Sequence, residues 1–194
     1  MTSLEEYNVE KSLIGLGPDV LMDLLNEIEY IEDAHQYKSM ENKKYPVDST
    51  AILPTGGDLN QQGLTFAHTK GNINASTVVF DPIISDDFYY FEGVFHNHWV
   101  RYFDIGITEP SVLYGQNEGP QRYGENTVRY CSGNGQIGHI FRYEISGNEA
   151  LTNEQRIGVE VDMTATTRTV HFFVNDVEQP VFVIGIPDKI RFFV

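Results

Sequence analysis

Arg156-Ile-Gly-Val-Glu-Val-Asp162, followed a little further on by Thr169-Val-His-Phe-Phe-Val-Asn175, decides how this chain reads. Successive side chains of a strand face opposite ways. Alternation therefore sets Val170, Phe172 and Val174 on one face of the second segment and Thr169, His171 and Phe173 on the other. Both faces are partly apolar, which suits a strand covered on its outer side by a loop or by an N-terminal helix. Asn175-Asp176 then supplies a tight turn. Val159 and Val161 of the first segment, together with Val170, Phe172 and Val174, are the expected core between two sheets.

Outward from this pair the same β-branched and aromatic signature recurs at residues 77–80, 88–95, 99–108, 127–131, 138–144, 180–184 and 189–194, with Gly, Pro, Asn or Asp between most of them. About nine short strands without intervening helices predict a mainly β protein, a two-sheet antiparallel sandwich or jelly roll, over residues 50–194. Helical spacing is confined to the N-terminal part. There Val20, Leu21, Leu24, Leu25, Ile28 and Ile31 follow Pro18-Asp19, with Asp23, Glu27, Glu29 and Glu32 on the polar side and Pro46 as a stop. The expected organisation is a helical segment at 1–46 followed by the sandwich domain.

The 194 residues allow one sizeable core plus an appendage, and 41% hydrophobic with 12% aromatic residues argue against disorder. Thirteen Lys+Arg against 28 Asp+Glu give a net charge of −15, which repels phosphate backbones and anionic headgroups. Neither nucleic acid nor a membrane surface is an expected partner. A single cysteine, Cys131, leaves no internal disulfide and no Cys-rich zinc site. With no secretory signal and no run of 18 apolar residues, a cytoplasmic or nuclear setting is expected.

Two constellations invite a chemical reading. His96-Asn97-His98 sets two imidazoles on one side of a strand, but no third ligand follows, so a polar turn is expected and no metal. Glu160-Val161-Asp162 has the start of a glycosidase carboxylate pattern, but Ala165 stands where the second glutamate would be. Asp162 is expected to accept hydrogen bonds at a strand end. No nucleophile elbow or phosphate loop accompanies the histidines, so neither catalysis nor a cofactor is expected. The segment 109–126 differs: it carries Tyr114, Arg122 and Tyr123 among glycines and prolines on an acidic chain, and Tyr and Arg are residues that interfaces favour. Trp99 and Arg101 complete the candidate binding set.

The strand order resembles the SPRY family over about residues 75–194. The residues that carry it are Phe88-Tyr-Tyr-Phe-Glu92, Val100-Arg-Tyr-Phe-Asp-Ile-Gly-Ile-Thr108, Gly124-Glu-Asn-Thr-Val-Arg-Tyr130 with the turn Cys131-Ser-Gly-Asn-Gly135, and the opening pair, similar to the family's Ile-Gly-x-x-x-Asp and Phe-x-x-Asn strands. Asn153-Glu154 stands where the family usually has Gly-Asp, and Asp176 where it has Gly. The chain stops about where a further strand would follow, so a strand near 64–80 is expected to close the sheet. The resemblance implies a module that holds a protein or peptide partner in loops at one end of the sandwich, with Tyr114, Arg122 and Tyr123 in that position. Leu16-Gly-Pro-Asp-Val-Leu21, Asp33-Ala34 and Asn42-Lys-Lys-Tyr45 resemble an F-box, which implies a Skp-type adaptor and a ubiquitin-ligase receptor. A concanavalin-like lectin is the second function class, since fold alone does not decide function.

Overall fold

The computed structural model of the protein describes residues 49–56, 58–96, 103–139 and 143–194. The helical segment expected at 1–46, with its F-box-like spacing, lies outside them. The described strands are β1 (Thr50–Ile52), β2 (Leu59–Gln62), β3 (Thr65–His68), β4 (Val79–Ile84), β5 (Phe88–Val94), β6 (Asp104–Thr108), β7 (Thr127–Cys131), β8 (Ile137–His139), β9 (Tyr143–Ile145), β10 (Arg156–Asp162), β11 (Thr169–Val174), β12 (Val177–Glu178), β13 (Val183–Ile184) and β14 (Ile190–Phe193). One antiparallel sheet runs β1-β4-β14-β6-β7-β8-β9. It faces a second of order β12-β11-β10-β5, in which β13 also pairs with β11, and β2 and β3 form a separate hairpin.

The core lies where alternation placed it. Val159, Val161, Val170 and Phe172 have no exposed surface and Val174 almost none, and they meet Ile105, Ile107, Tyr130, Ile137 and Phe192 of the seven-stranded sheet. Tyr130 sets its ring edge-on to Phe172, with centroids 5.3 Å apart. The second face of β11 is closed as well. Gly158 is the register partner of Phe173, and Tyr90 of Glu160 two pairs along on the same face, so the Tyr90 ring crosses β10 above Gly158 and reaches Phe173 edge-on at 5.8 Å. A Cβ at 158 would overlap the Tyr90 hydroxyl. The glycine in Ile-Gly-x-x-x-Asp is thus a packing requirement of the tyrosine beside it.

Asn175 and Asp176 both adopt positive φ, 49° and 68°, and join Val174 to its partner Val177 in a two-residue turn. Such hairpins need left-handed backbone at both central residues, which Asn and Asp tolerate best after Gly. Asp176 therefore substitutes for glycine at little cost, and its carboxylate pairs with Arg156 at the start of the neighbouring β10.

Two expectations need correction. The strand expected at 138–144 is two strands, β8 and β9, which pair with each other from His139↔Tyr143 to Ile137↔Ile145; the reversal carries no Gly or Pro to mark it. The strand expected at 77–80 is β4, which runs on through Pro82 to Ile84. The register with β14 shifts between the Phe80–Phe192 and Ile84–Ile190 pairs, and this irregularity accommodates a residue with no N–H to donate. The closing strand expected near 64–80 is found in β4, which begins at Val79 and lies beside β14, so that β14 is an interior strand bonded to β4 on one side and β6 on the other.

Candidate functional site

The segment 109–126 joins β6 to β7. It opens as a continuation of their ladder, with the Glu109 N–H donating to the Asn126 carbonyl (2.9 Å) and Asn126 Nδ2 donating to Glu109 Oε2 (3.0 Å). Beyond that pair the chain folds back across the outer face of the seven-stranded sheet. The cause is β14. Phe192 points into the core between the sheets, so Phe193 faces outward and needs cover. Val112 and Tyr114 supply it, forming a small apolar cluster with Val79 and Phe193, against which Ile52 and Tyr123 pack. Tyr114 lies 6.1 Å from the Phe193 ring and meets Tyr123 edge-on at 5.3 Å.

The polar half of the loop is organised by one carboxylate. Glu118 Oε2 accepts from the Gly115 N–H and from the Tyr123 hydroxyl, each at 2.8 Å, while Oε1 pairs with Arg122 Nη1 at 2.6 Å. A 3-10 turn, Pro120–Tyr123, sets that geometry. Proline suits the start of such a turn because its missing N–H has no partner to lose, and the winding returns Arg122 above Glu118. The Gly115 amide and Tyr123 hydroxyl, helped by the Arg122 charge, hold the Glu118 carboxyl below its usual range. The same hydrogen bond raises the Tyr123 phenol above its usual value. Thr77 Oγ1 donates to the Glu118 carbonyl (3.1 Å) and the Ala75 N–H to Asn117 Oδ1 (3.0 Å), tying the loop to the chain before β4.

The candidate residues part company here. Arg122 is 66% exposed, with one nitrogen on Glu118. Tyr123 is half-buried beside it. Tyr114, expected to offer contact area, is only 5% exposed; its ring is covered by Tyr123, and burial pushes its phenol above the usual range. It supports the loop from beneath. Trp99 and Arg101 lie outside the described residues. Sequence reasoning missed Glu118, although its spacing from Gly115 and Arg122 is the signal that could have shown it.

The other chemical candidates have structural partners. Asp162 Oδ1 accepts from the Thr164 N–H and hydroxyl, both at 2.8 Å, and from the Ala165 N–H at 3.3 Å, capping the turn after β10 as expected. His96 Nδ1 pairs with Glu154 at 2.6 Å at an exposed position, and His98 is outside the described residues. On the outer face of the seven-stranded sheet Arg129 is held by Asp104 (3.2 Å) and Glu144 (2.6 Å), and also donates to Cys131 Sγ (2.7 Å). Burial pushes the Cys131 thiol up to about 12, so it carries little thiolate at neutral pH. Among the described residues no group of three His, Cys, Asp or Glu is placed to hold a metal ion.

No family model matches the chain, and no curated protein matches it. Solved structures do. The chain is similar to a human SPRY domain, with a TM-score of 0.55 and 15% identity over 74% of this chain and 89% of that one. It is also similar to the SPRY domain of human HERC1, with a TM-score of 0.51 and 14% identity over 76% of this chain and 86% of that one. At such identities the likeness is one of fold: the protein has a SPRY-like β-sandwich.

Proposed function

We propose that the sandwich is a non-catalytic recognition module and that residues 109–126 contact a peptide or protein partner. The observation that carries this reading is the preorganised loop: Glu118 gathers three donors, and the structure leaves Arg122 standing 66% exposed at its edge. A loop already held in one shape loses less entropy on binding than one ordered by its partner. A guanidinium on such a platform offers planar, directional donors. The SPRY-like fold supports the same reading, because that family generally holds protein partners. Arg122 and Tyr123 are the contact residues in this account and Tyr114 the positioning residue below them. The setting we propose is cytoplasmic or nuclear, on the grounds of composition. A ubiquitin-ligase role through a Skp-type adaptor is a further step that rests on the F-box-like spacing in residues 1–46 alone.

The test begins with a pull-down from cell extract, followed by titration calorimetry of the recovered partner. Arg122→Ala or Tyr123→Ala should weaken binding by about 2 kcal/mol or more if either is an anchor, with melting unchanged. Native melting with unaltered affinity in both variants ends this site assignment.

A further inference from the structure

The loop at 109–126 is tied to the sheet beneath it by an arginine that is itself almost buried. Core burial of Ile190 and Phe192 turns Arg191 and Phe193 of β14 to the outer face. Phe193 receives the apolar half of the loop, Val112 and Tyr114. Arg191, with a side chain 13% exposed, takes the loop's first turn. Its Nη1 donates to the Pro110 carbonyl at 2.5 Å, and its Nε donates to Asp81 Oδ1 at 2.7 Å.

Register explains why these groups meet. Arg191 is the partner of Thr108, the last residue of β6, so its side chain lies beside the point where the loop departs. On its other flank Asp81, Pro82 and Ile83 of β4 stand opposite Arg191 alone, between the Phe80–Phe192 and Ile84–Ile190 pairs. Such an irregularity re-aims side chains, and here the Asp81 carboxylate meets the guanidinium. The loop then turns at once. The Val112 N–H donates to the Glu109 carbonyl at 3.0 Å, with Pro110 at the second position of the turn, where its fixed φ fits. The turn's own hydrogen bond does not use the proline carbonyl, and this is the group that Arg191 holds.

Arginine suits the task because its fork presents separate nitrogens to the two acceptors, whereas lysine has one. Glu118 sets the shape of the loop's outer part, from Gly115 to Tyr123. The Thr77 and Ala75 contacts tie the far side of that shape to the chain before β4, and Arg191 ties the near side.

We infer that Arg191 is the positioning residue of the recognition loop: by holding the Pro110 turn it sets where Tyr114 supports Tyr123 and Arg122, and so sets the affinity for a partner it does not touch. The inference rests on the recognition reading for the partner, while its effect on the loop can be measured without one.

Two substitutions separate positioning from stability. Arg191→Lys keeps a cation for Asp81 but gives up the second nitrogen, whereas Arg191→Met gives up both contacts. Melting should be near native in the lysine variant and lower in the methionine variant. Amide exchange followed by NMR on the full chain should be about tenfold faster at Val112 in both, and far less altered at Gly115, whose N–H is held by Glu118. Titration calorimetry with the partner recovered by pull-down should show affinity about threefold to tenfold weaker in both. A purely structural ion pair with Asp81 predicts a different pattern, in which lysine restores Val112 protection and affinity along with melting. Native Val112 exchange in Arg191→Lys overturns the inference, whatever the methionine variant does. If Val112 exchange rises but a partner that depends on Arg122 or Tyr123 binds both variants unaltered, the inference falls and the recognition reading stands. If Val112 exchange rises and the recovered partner depends on neither Arg122 nor Tyr123, the recognition reading falls while Arg191 stays the residue that places the loop.

Discussion

The β10–β11 hairpin and the loop at 109–126 are built on opposite principles. The hairpin excludes water on both faces: Val159, Val161, Val170 and Phe172 fill the space between the sheets, while Tyr90 and Phe173 close the outside. Its fit depends on volume, so one glycine is as necessary as any large residue. The loop has a shallow apolar underside, Val112 and Tyr114 on Phe193, and its shape depends on the ionised state of a single carboxylate. Shape held by packing is insensitive to pH and intolerant of substitution, whereas shape held by a charge tolerates many changes and one of them matters. A scaffold that must not move and a surface that must meet a partner call for these two solutions respectively.

Removing volume should separate the two regions most sharply. Phe172→Ala should cost about 3–5 kcal/mol, because a ring with no exposed surface leaves a cavity between two sheets that cannot collapse independently. A denaturant melt measures it, and a loss below about 0.5 kcal/mol would show that the ring is not core.

Adding volume should cost less. Gly158→Ala places a methyl group where the Tyr90 hydroxyl lies and should destabilise by about 1–3 kcal/mol. Tyr90→Leu in the same chain should recover part of that loss. A double-mutant cycle with no coupling above about 0.5 kcal/mol would mean that the two residues do not share the space.

The smallest effect on overall stability is expected at Glu118. Glu118→Gln should leave the melting of the sandwich almost unchanged but speed exchange of the Gly115 amide proton by about tenfold, a local opening rather than a global one. The sign with pH follows from the direction of the shift. A carboxyl held below its ordinary value of 4.5 contributes fully above that pH and loses its contribution as pH falls through the depressed value. Acid should therefore loosen the native loop while the glutamine variant, already loosened, shows no such limb. Equal acid sensitivity in the two proteins would remove Glu118 from its place as organiser.

The same contrast decides what could be read from the chain. The strands over β5, β7, β10, β11 and β14 were legible because each alternates or concentrates large apolar residues, which is the burial requirement written directly in residue type. The β2–β3 hairpin was not: Leu59-Asn-Gln-Gln62 and Thr65-Phe-Ala-His68 are mostly exposed, with Phe66 set edge-on against Phe80. The short strand β1 lacks any pattern long enough to register. In the loop, the residue types favoured by interfaces were visible, but which of them faces outward was not. Tyr114 and Tyr123 look alike in sequence, and the difference between them is that Phe193, far away in the chain, needed a lid.

The position of β14 has a consequence in time as well as in space. Its neighbours β4 and β6 leave the ribosome early, yet they bond to each other only through Ile190–Phe193, made after every other described strand. Until then the growing chain carries two partial sheets with a missing rung between them, and Val79, which Phe193 will pair with and cover, has no strand beside it on that flank. The seven-stranded sheet cannot be complete before β14 is made, so the interval between synthesis of β4 and of β14 is the period in which this chain most needs protection from its neighbours.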